Sequence, residues 1–307
     1  MQTKYAFFEG QIVPIEQAKV SVMTHALHYG TACFGGIRAY WNEQAEQLYV
    51  FRLDDHIKRF ISSASLLLMK LPYSQQQLAG AVVDLLRREA QRSDMYVRPL
   101  AYKADPKIGV LLHGLTDEVT IFATPFGRYV ANEEGASVRI SSWRRVDDNA
   151  IPARGKIAGA YVNSGLVKSE ALLDGYDEAI VLDENGHVSE GSAANIFMVR
   201  DGHLITPPVS SNILEGITRR TIMELAAAEL GLEVKEREID RTELYVCDEL
   251  FFCGTGVQVA AITAVDRRPV GAGVMGPITD ALRNLYFDVV RGHVAQYRHW
   301  NTPVYDQ

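Results

Sequence analysis

Residues 179–206 read AIVLDENGHVSEGSAANIFMVRDGHLIT, and the fold class turns on them. Residues 179–182 and 187–190 read as short strands joined through Asn185-Gly186, and residues 196–199 and 204–206 are joined in the same way through Asp201-Gly202. Both dipeptides tolerate the positive φ that tight hairpin turns demand, so the four segments should be antiparallel strands. Strands that return at once on their neighbours leave no room for the crossover helices of regular βαβ winding. With helical periods elsewhere in the chain, the prediction is an α+β protein.

Upstream, residues 5–9 and 11–13 flank Gly10 as a hairpin, and 33–41 and 48–52 read as strands. Asp54 reads as the N-cap of a helix whose inward face is Ile57, Phe60, Ile61, Ala64 and Leu68. A second helix over 74–91 turns Leu78, Val82, Leu85 and Leu86 inward, and strands near 95–102 and 119–124 follow. Pro125-Phe126-Gly127 then breaks the pattern. Downstream helices are expected over 160–173, 219–230 and 278–293. A chain of 307 residues exceeds what one core usually supports, so two domains sharing a cleft are expected. These are a small N-terminal domain over 1–127, a linker over 128–136 and a larger β-rich domain over 137–307.

Composition narrows the partners. Hydrophobic residues make up 47% and charged residues 22%, the balance of a globular protein with a packed core. A net charge of -7 without any Lys/Arg run leaves no electrostatic footprint for a phosphate backbone, so nucleic acid is not expected as a partner. No apolar stretch reaches the roughly eighteen residues needed to cross a bilayer, and Met1-Gln2-Thr3-Lys4-Tyr5 opens no signal-type apolar run, so no membrane is expected. Cys33, Cys247 and Cys253 fit no disulfide framework, which points to a reducing, cytoplasmic compartment.

A few places could carry chemistry. Lys156 lies in Arg154-Gly155-Lys156-Ile157-Ala158-Gly159-Ala160, where small residues let a bulky group approach the chain. Desolvation would make its amine a nucleophile, though the same loop suits a solvated lysine. In Gly216-Ile217-Thr218-Arg219-Arg220, Thr218 reads as the N-cap of the 219–230 helix, and two arginines in the first turn oppose the positive end of the dipole. A phosphate on the helix N-H groups would relieve that conflict, and so would acidic neighbours. Gly254-Thr255-Gly256 offers a second turn with N-H groups and a hydroxyl, or simply a turn. Glu190 ends a strand before Gly191 and could keep a ring nitrogen protonated, or serve as a turn glutamate. His25 and His28 have no Cys or acidic cluster at ligand spacing, so no metal is expected. Residues 271–276, GAGVMG, match G-x-G-x-x-G, but 266–269 make a poor buried strand and none returns afterwards, so no dinucleotide site is expected.

Six segments in order add a resemblance. They are His25-Ala26-Leu27-His28-Tyr29-Gly30 running on to Phe34, Gly36, Ile37 and Arg38; Tyr96-Val97-Arg98-Pro99-Leu100; Ile151-Pro152 through Lys156 to Tyr161 and Ser164; Ser189-Glu190-Gly191 to Asn195-Ile196-Phe197; Leu214 to Thr218; and Gly254-Thr255. Together they resemble the branched-chain aminotransferase family of fold-type IV (class IV) pyridoxal 5′-phosphate enzymes over nearly the whole chain. The resemblance implies a two-domain fold with a small α/β domain and a larger β-rich one. It also implies amino transfer between Leu, Ile or Val and 2-oxoglutarate, giving branched 2-oxo acids and L-glutamate.

By the same resemblance, Lys156 is the Schiff-base lysine and proton shuttle, Glu190 the partner of the pyridinium nitrogen and Tyr161 a contact of the ring hydroxyl. Arg59, Leu214, Gly216, Ile217, Thr218 and Thr255 would complete the cofactor site, chiefly around the phosphate. Arg59 also reads as an i,i+4 partner of Asp55. Tyr96 and the N-H groups of Thr255 and Gly256 would hold the α-carboxylate, while Tyr29 and Arg98 engage the side-chain carboxylate of glutamate. Phe34, Gly36, Phe126, Tyr129 and Tyr161 would line the aliphatic pocket. Ile108 and Val110 match a loop donated across a dimer interface, which implies a homodimer at minimum and leaves a hexamer open. Three positions depart from the pattern: Gly35 replaces a common Glu, Ala160 a common Asn, and residues 191–194 a loop that often carries Glu. They keep transamination of D-amino acids or (R)-amines as alternatives, and a lyase of the aminodeoxychorismate type, which shares the fold and the lysine, is another.

Overall fold

The computed structural model describes residues 3–127 and 135–306. The chain forms two compact units, Met1–Gly127 with Gly155–Ala160 and Asp288–Gln307, and Arg128–Arg154 with Tyr161–Phe287. Residues 155–160 and 288–307, expected in the C-terminal domain, therefore group with the first unit. Strand pairing explains why: Ile157 bridges Cys33, and Asn301–Pro303 lies antiparallel to 49–51.

The first unit contains β1 (Tyr5–Phe8), β2 (Gln11–Pro14), α1 (His25–Tyr29), β3 (Ala32–Phe34), β4 (Ile37–Asn42), β5 (Gln47–Phe51), α2 (Leu53–Leu66), α3 (Gln75–Glu89), β6 (Met95–Lys103) and β7 (Asp117–Pro125). Its sheet runs Asn301–Pro303, β5, β4, β6, β7, β1, β2, with β3 also on β6, and every pairing is antiparallel. The strand expected over 33–41 is split at Gly35-Gly36. A Cβ at Gly35 would stand 2.6 Å from Cγ of Pro99, and one at Gly36 would collide with the Tyr96 hydroxyl. Side chains of β6 cross the backbone there, where only glycine fits.

Helix α2 starts two residues earlier than expected: Arg52, at φ 46°, is the N-cap, and Asp54 lies in the first turn. Ile57, Phe60 and Ala64 are buried and Ile61 is half-buried. Leu68, however, is 60% exposed, while Leu67 and Met69 are buried instead. The helix stops at Leu66 and Leu68 takes φ 54°, so the 3.6-residue period no longer applies there. Helix α3 follows the expectation. Ser74 and Gln77 form a reciprocal capping box, and Leu78, Val82, Leu85 and Leu86 lose all exposure, each contributing about 1.5–3 kcal/mol.

The second unit contains β8 (Ala136–Arg144), α4 (Tyr161–Leu173), β9 (Glu178–Leu182), β10 (Val188–Gly191), β11 (Asn195–Arg200), β12 (His203–Thr206), α5 (Ile217–Leu230), β13 (Val234–Glu236), β14 (Glu249–Gly254), β15 (Gln258–Val265), β16 (Arg268–Pro269) and α6 (Pro277–Val290). The sheet order is β10-β9-β8-β15-β14-β11-β12-β13, with β16 on β15. Both expected hairpins are antiparallel. Asp201 and Gly202, at φ 51° and 75°, close Arg200 on His203 in two residues. The other connection is longer than its Asn185-Gly186 pair suggested. Asp183 accepts from the N-H groups of Asn185 and His187, making a five-residue loop.

Three parallel pairs, β8 with β9, β8 with β15 and β12 with β13, go beyond the purely antiparallel reading. Helix α4 supplies the crossover that β8 and β9 require, packing Val167 and Ala171 on Ala179 and Val181. The core of this unit gathers Val138, Ile140, Ile180, Ile196, Met198, Phe252 and Ile262 from neighbouring strands. The architecture is α+β. Among the described residues no helix is long and apolar enough to cross a membrane.

Candidate active site

In the first unit the segment 155–160 is held on two sides. Phe34 N donates to Lys156 O at 3.0 Å, and Lys156 N donates to Ser63 Oγ at 3.1 Å. That hydroxyl in turn donates to Arg59 O at 2.9 Å, so the turn of α2 bearing Arg59 is fixed against the lysine backbone. The small residues serve close packing: a Cβ at Gly155 would stand 3.0 Å from Leu66, and one at Gly30 2.8 Å from Cα of Gly159. Lys156 is half-buried, not a solvated loop lysine, and its Nζ lies 5.1 Å from the centroid of the Phe34 ring.

The Arg98 guanidinium lies 4.4 Å from the same centroid. Arg98 Nη2 donates to the Tyr96 hydroxyl at 2.9 Å, while its buried Nε has no hydrogen-bond partner among the described residues. A buried donor left unpaired costs about 1–3 kcal/mol, which a bound carboxylate would recover. The Tyr96 and Phe126 rings are 4.9 Å apart. The structure thus brings Lys156, Phe34, Arg98, Tyr96, Phe126 and Gly36 together, neighbour by neighbour. Burial pushes the Cys33 thiol up to about 12, so no thiolate competes with the lysine amine beside it.

Other expected residues of this unit lie further out. The Tyr29 hydroxyl accepts from Gly109 N at 3.0 Å, in the loop where Ile108 and Val110 are 84% and 76% exposed. His25 bonds Thr31 and Gly109 O, and His28 bonds Val22 O, so both imidazoles fasten loops. Arg59 is half-buried, and Asp55 accepts from Arg52 at 3.3 Å. Tyr129 lies outside the described residues.

In the second unit Glu190 is 5% exposed, which rules out a solvated turn glutamate. Arg145 Nη2 stands 3.1 Å from its Oε1, while Asn195 Nδ2 at 3.2 Å and Leu214 N at 3.1 Å donate to Oε2. Asn195 also donates to Leu214 O at 2.9 Å. Glu190 therefore anchors the segment that leads into α5. The N-cap of α5 is Gly216 rather than Thr218, which sits 3% exposed in the first turn. Both arginines have acidic partners, Arg219 with Glu236 at 2.6 Å and Arg220 with Glu224 at 3.7 Å.

The N-cap of α5 is a glycine and brings no side chain to the first-turn N-H groups, which have no acceptor within the helix. The contrast is α6, behind the GAGVMG run. There Glu249 accepts from Ile278 N, Thr279 N and the Thr279 hydroxyl, filling the place a phosphate would take. Thr255 and Gly256 are half-buried in the turn from β14 to β15, and Tyr161 is half-buried at the start of α4. A helix start with a glycine N-cap and a buried threonine suits a phosphate, a buried carboxylate suits a ring nitrogen, and a half-buried lysine suits an aldehyde. The residues fit pyridoxal 5′-phosphate.

Gly216 is the tightest point of this half. An added Cβ would collide with Asn195 Oδ1, so Gly216→Ala should push the Asn195 amide off Glu190 and Leu214. The expected cost is about 1–3 kcal/mol of stability, with weaker retention of the coenzyme on dialysis. Urea unfolding and residual coenzyme absorbance measure the two effects, and unchanged values for both would contradict the packing described.

Sequence reasoning assigned no role to Ser63, Arg145 or Asn195. Ser63 carried a signal, an inward hydroxyl between Phe60 and Ala64 on an otherwise apolar face. Arg145 follows directly on a strand in a run of two arginines, and nothing local distinguishes it from its exposed neighbour Arg144.

Comparison with known proteins gives a consistent result. A family model described as amino-transferase class IV matches residues 32–265. The chain is 50% identical over 303 residues to a protein of Aquifex aeolicus named probable branched-chain-amino-acid aminotransferase, spanning 99% of this chain and 97% of that protein. It is 41% identical over 304 residues to the branched-chain-amino-acid aminotransferase of Salmonella typhimurium, spanning 98% and 97%. Among solved structures, the branched-chain aminotransferase of Thermoproteus uzoniensis with norvaline matches at a TM-score of 0.95 and 43% identity, covering 99% of this chain and 100% of that one. The branched-chain amino acid aminotransferase of Thermobaculum terrenum in its PLP (holo) form matches at 0.94 and 40%, covering 99% of each chain.

Proposed function

We propose roles for individual residues from one premise: the chain belongs to the class IV aminotransferases. It is a pyridoxal-phosphate-dependent branched-chain amino acid aminotransferase, moving the amino group of Leu, Ile or Val to 2-oxoglutarate. When bound, the cofactor supplies an electron sink for the carbon that loses its proton. Lys156 would hold the cofactor covalently, and its amine would take and return the proton at the substrate carbon. Glu190 keeps the ring nitrogen protonated, and Tyr161 contacts the ring hydroxyl. Arg59, Thr255 and the start of α5 at Gly216, Ile217 and Thr218 hold the phosphate, with Leu214 beside them.

The observation that carries the substrate reading is one ring with two neighbours. Phe34 has the lysine amine at 5.1 Å and the Arg98 guanidinium at 4.4 Å. An aliphatic side chain packs on Phe34, Tyr96 and Phe126, and the carboxylate of glutamate uses the buried Nε of Arg98 and the Tyr29 hydroxyl instead. One pocket thereby serves both half-reactions. Tyr96 and the N-H groups of Thr255 and Gly256 hold the α-carboxylate common to both substrates, and Gly36 leaves room for the Tyr96 hydroxyl.

Single-turnover half-reactions test this reading, with L-leucine, L-isoleucine, L-valine, a D-amino acid and an (R)-amine as donors. The three branched L-amino acids should convert the cofactor to its amine form fastest. Turnover of the (R)-amine at the rate of leucine, with L-valine inert, would overturn the substrate assignment. Pyruvate release from aminodeoxychorismate without an acceptor would indicate a lyase.

Exposed apolar residues at Val20, Val22, Met23, Leu27, Ile108, Val110 and Leu111 support a homodimer in which the 107–111 loop serves the partner. Three buried free thiols suit a cytoplasmic location.

A further inference from the structure

We propose that Arg145 is a positioning residue that keeps Glu190 an anion and holds it in register with the phosphate-binding start of α5. This rests on the role assigned to Glu190 above and names what that role requires. Both side chains are largely withdrawn from water, at 10% exposure for Arg145 and 6% for Glu190. A carboxyl group so placed is driven toward its neutral form by desolvation, and a guanidinium at 3.1 Å reverses that preference.

The charge decides where one proton resides. A ring nitrogen facing a carboxylate of ordinary basicity in a dry site can lose its proton to it, leaving two neutral groups. An adjacent guanidinium lowers the basicity of the carboxylate, so the proton stays on nitrogen and the ring keeps its electron-withdrawing charge. Neutral donors alone, such as the Asn195 amide and the Leu214 N-H on Oε2, bring no full charge to this balance.

Geometry gives Arg145 its second duty. Nη2 meets Oε1 of Glu190, and Nε donates to Asn212 O at 3.0 Å. The planar fork therefore spans β10 and the 212–214 segment, which enters α5 within a few residues. A lysine reaches one of these partners as a point charge; only the guanidinium fork reaches both. Arg144, next in the chain, is exposed, so burial singles out Arg145.

The test uses holoenzyme loaded with coenzyme carrying ¹⁵N in the ring, in wild type, R145Q, R145K, E190Q and R145Q/E190Q. The ring-nitrogen resonance reports protonation, and leucine half-reactions report rate and apparent affinity separately. E190Q should lose the protonated signal; if it retains both signal and rate, the assignment of Glu190 fails and this proposal falls with it. With E190Q as expected, R145Q should also lose the signal, with the half-reaction rate lower by roughly 10–100-fold, the range seen when a residue that orients a metal ligand is removed. R145K should keep the ring protonated. The double variant should be no slower than E190Q, because Arg145 acts through Glu190.

A protonated ring in R145Q, or a double variant whose loss is the product of the two single losses, would overturn the proposal. Should R145Q not fold, R145K decides. Retained charge with a protonated ring supports the electrostatic role, and an unprotonated ring in R145K overturns it.

Discussion

Lys156→Ala holoenzyme should convert L-leucine at least about 10⁴-fold more slowly than wild type, since the change removes the covalent anchor and a general acid-base group worth about 10²–10⁴ by itself. The fold should survive. The contacts that seat residue 156 are made by its backbone, N to Ser63 Oγ and O from Phe34 N, and neither needs the side chain. The contact with the Phe34 ring, 5.1 Å from the amine, is worth about 0.5–1 kcal/mol. Rapid-mixing half-reactions measure the rate. Borohydride reduction followed by peptide mapping locates the covalent site, which should be the peptide containing Lys156 in wild type and should vanish in the variant. A trapped adduct on another lysine, or near-normal turnover, would remove Lys156 from the chemistry while leaving the fold assignment untouched. Unfolding in urea separates this outcome from misfolding, because a stable but inactive variant is the specific expectation.

What could be read in the sequence was whatever is decided locally. Asp201-Gly202 announces a two-residue turn because both positions need positive φ, and both have it. The capping box at Ser74 and Gln77 and the inward stripe from Leu78 to Leu86 are likewise local, and they place α3. Misreadings arose where a distant residue decides. The preference for a hydroxyl cap pointed to Thr218, yet the N-cap is Gly216, where Asn195 lies so close that a Cβ would not fit. Leu68 fits an apolar period that ends with the helix two residues earlier. The parallel pairs of β8 cannot be seen from turns at all, since their partners are joined through α4 or lie over a hundred residues away.

The candidate site divides in the same manner. Lys156 and Glu190 stood out as positions, but local sequence left each with an innocent alternative. What settles their surroundings is long-range: Ser63 and Phe34 around the lysine, Arg145 and Leu214 around the glutamate. The resemblance supplied roles that spacing alone could not.

A buried ion pair in the first unit should dominate the stability of α2. Lys103 Nζ lies 2.7 Å from Asp117 Oδ1, with the side chains 1% and 8% exposed, and Lys103 also donates to Leu68 O at 3.2 Å. Asp117 Oδ2 accepts from Lys70 N at 2.7 Å. The two residues thus pin the segment from Leu68 to Lys70, just past the end of α2, to the paired strands β6 and β7. Asp117→Ala would leave an ammonium group in the core with no countercharge, and removing one partner of such a pair costs about 3–5 kcal/mol. Lys103→Met with Asp117→Leu removes both charges and should be far milder, because neither ion then has to be desolvated. Urea unfolding of the three proteins gives the comparison, with the double variant expected to lie nearer wild type than Asp117→Ala. Since α2 also carries Ser63 and Arg59, Asp117→Ala should lose coenzyme on dialysis more readily than the double variant. A cost below about 1 kcal/mol for Asp117→Ala, the range of a solvent-exposed pair, would mean that water reaches the ammonium and that the segment is held by its backbone alone.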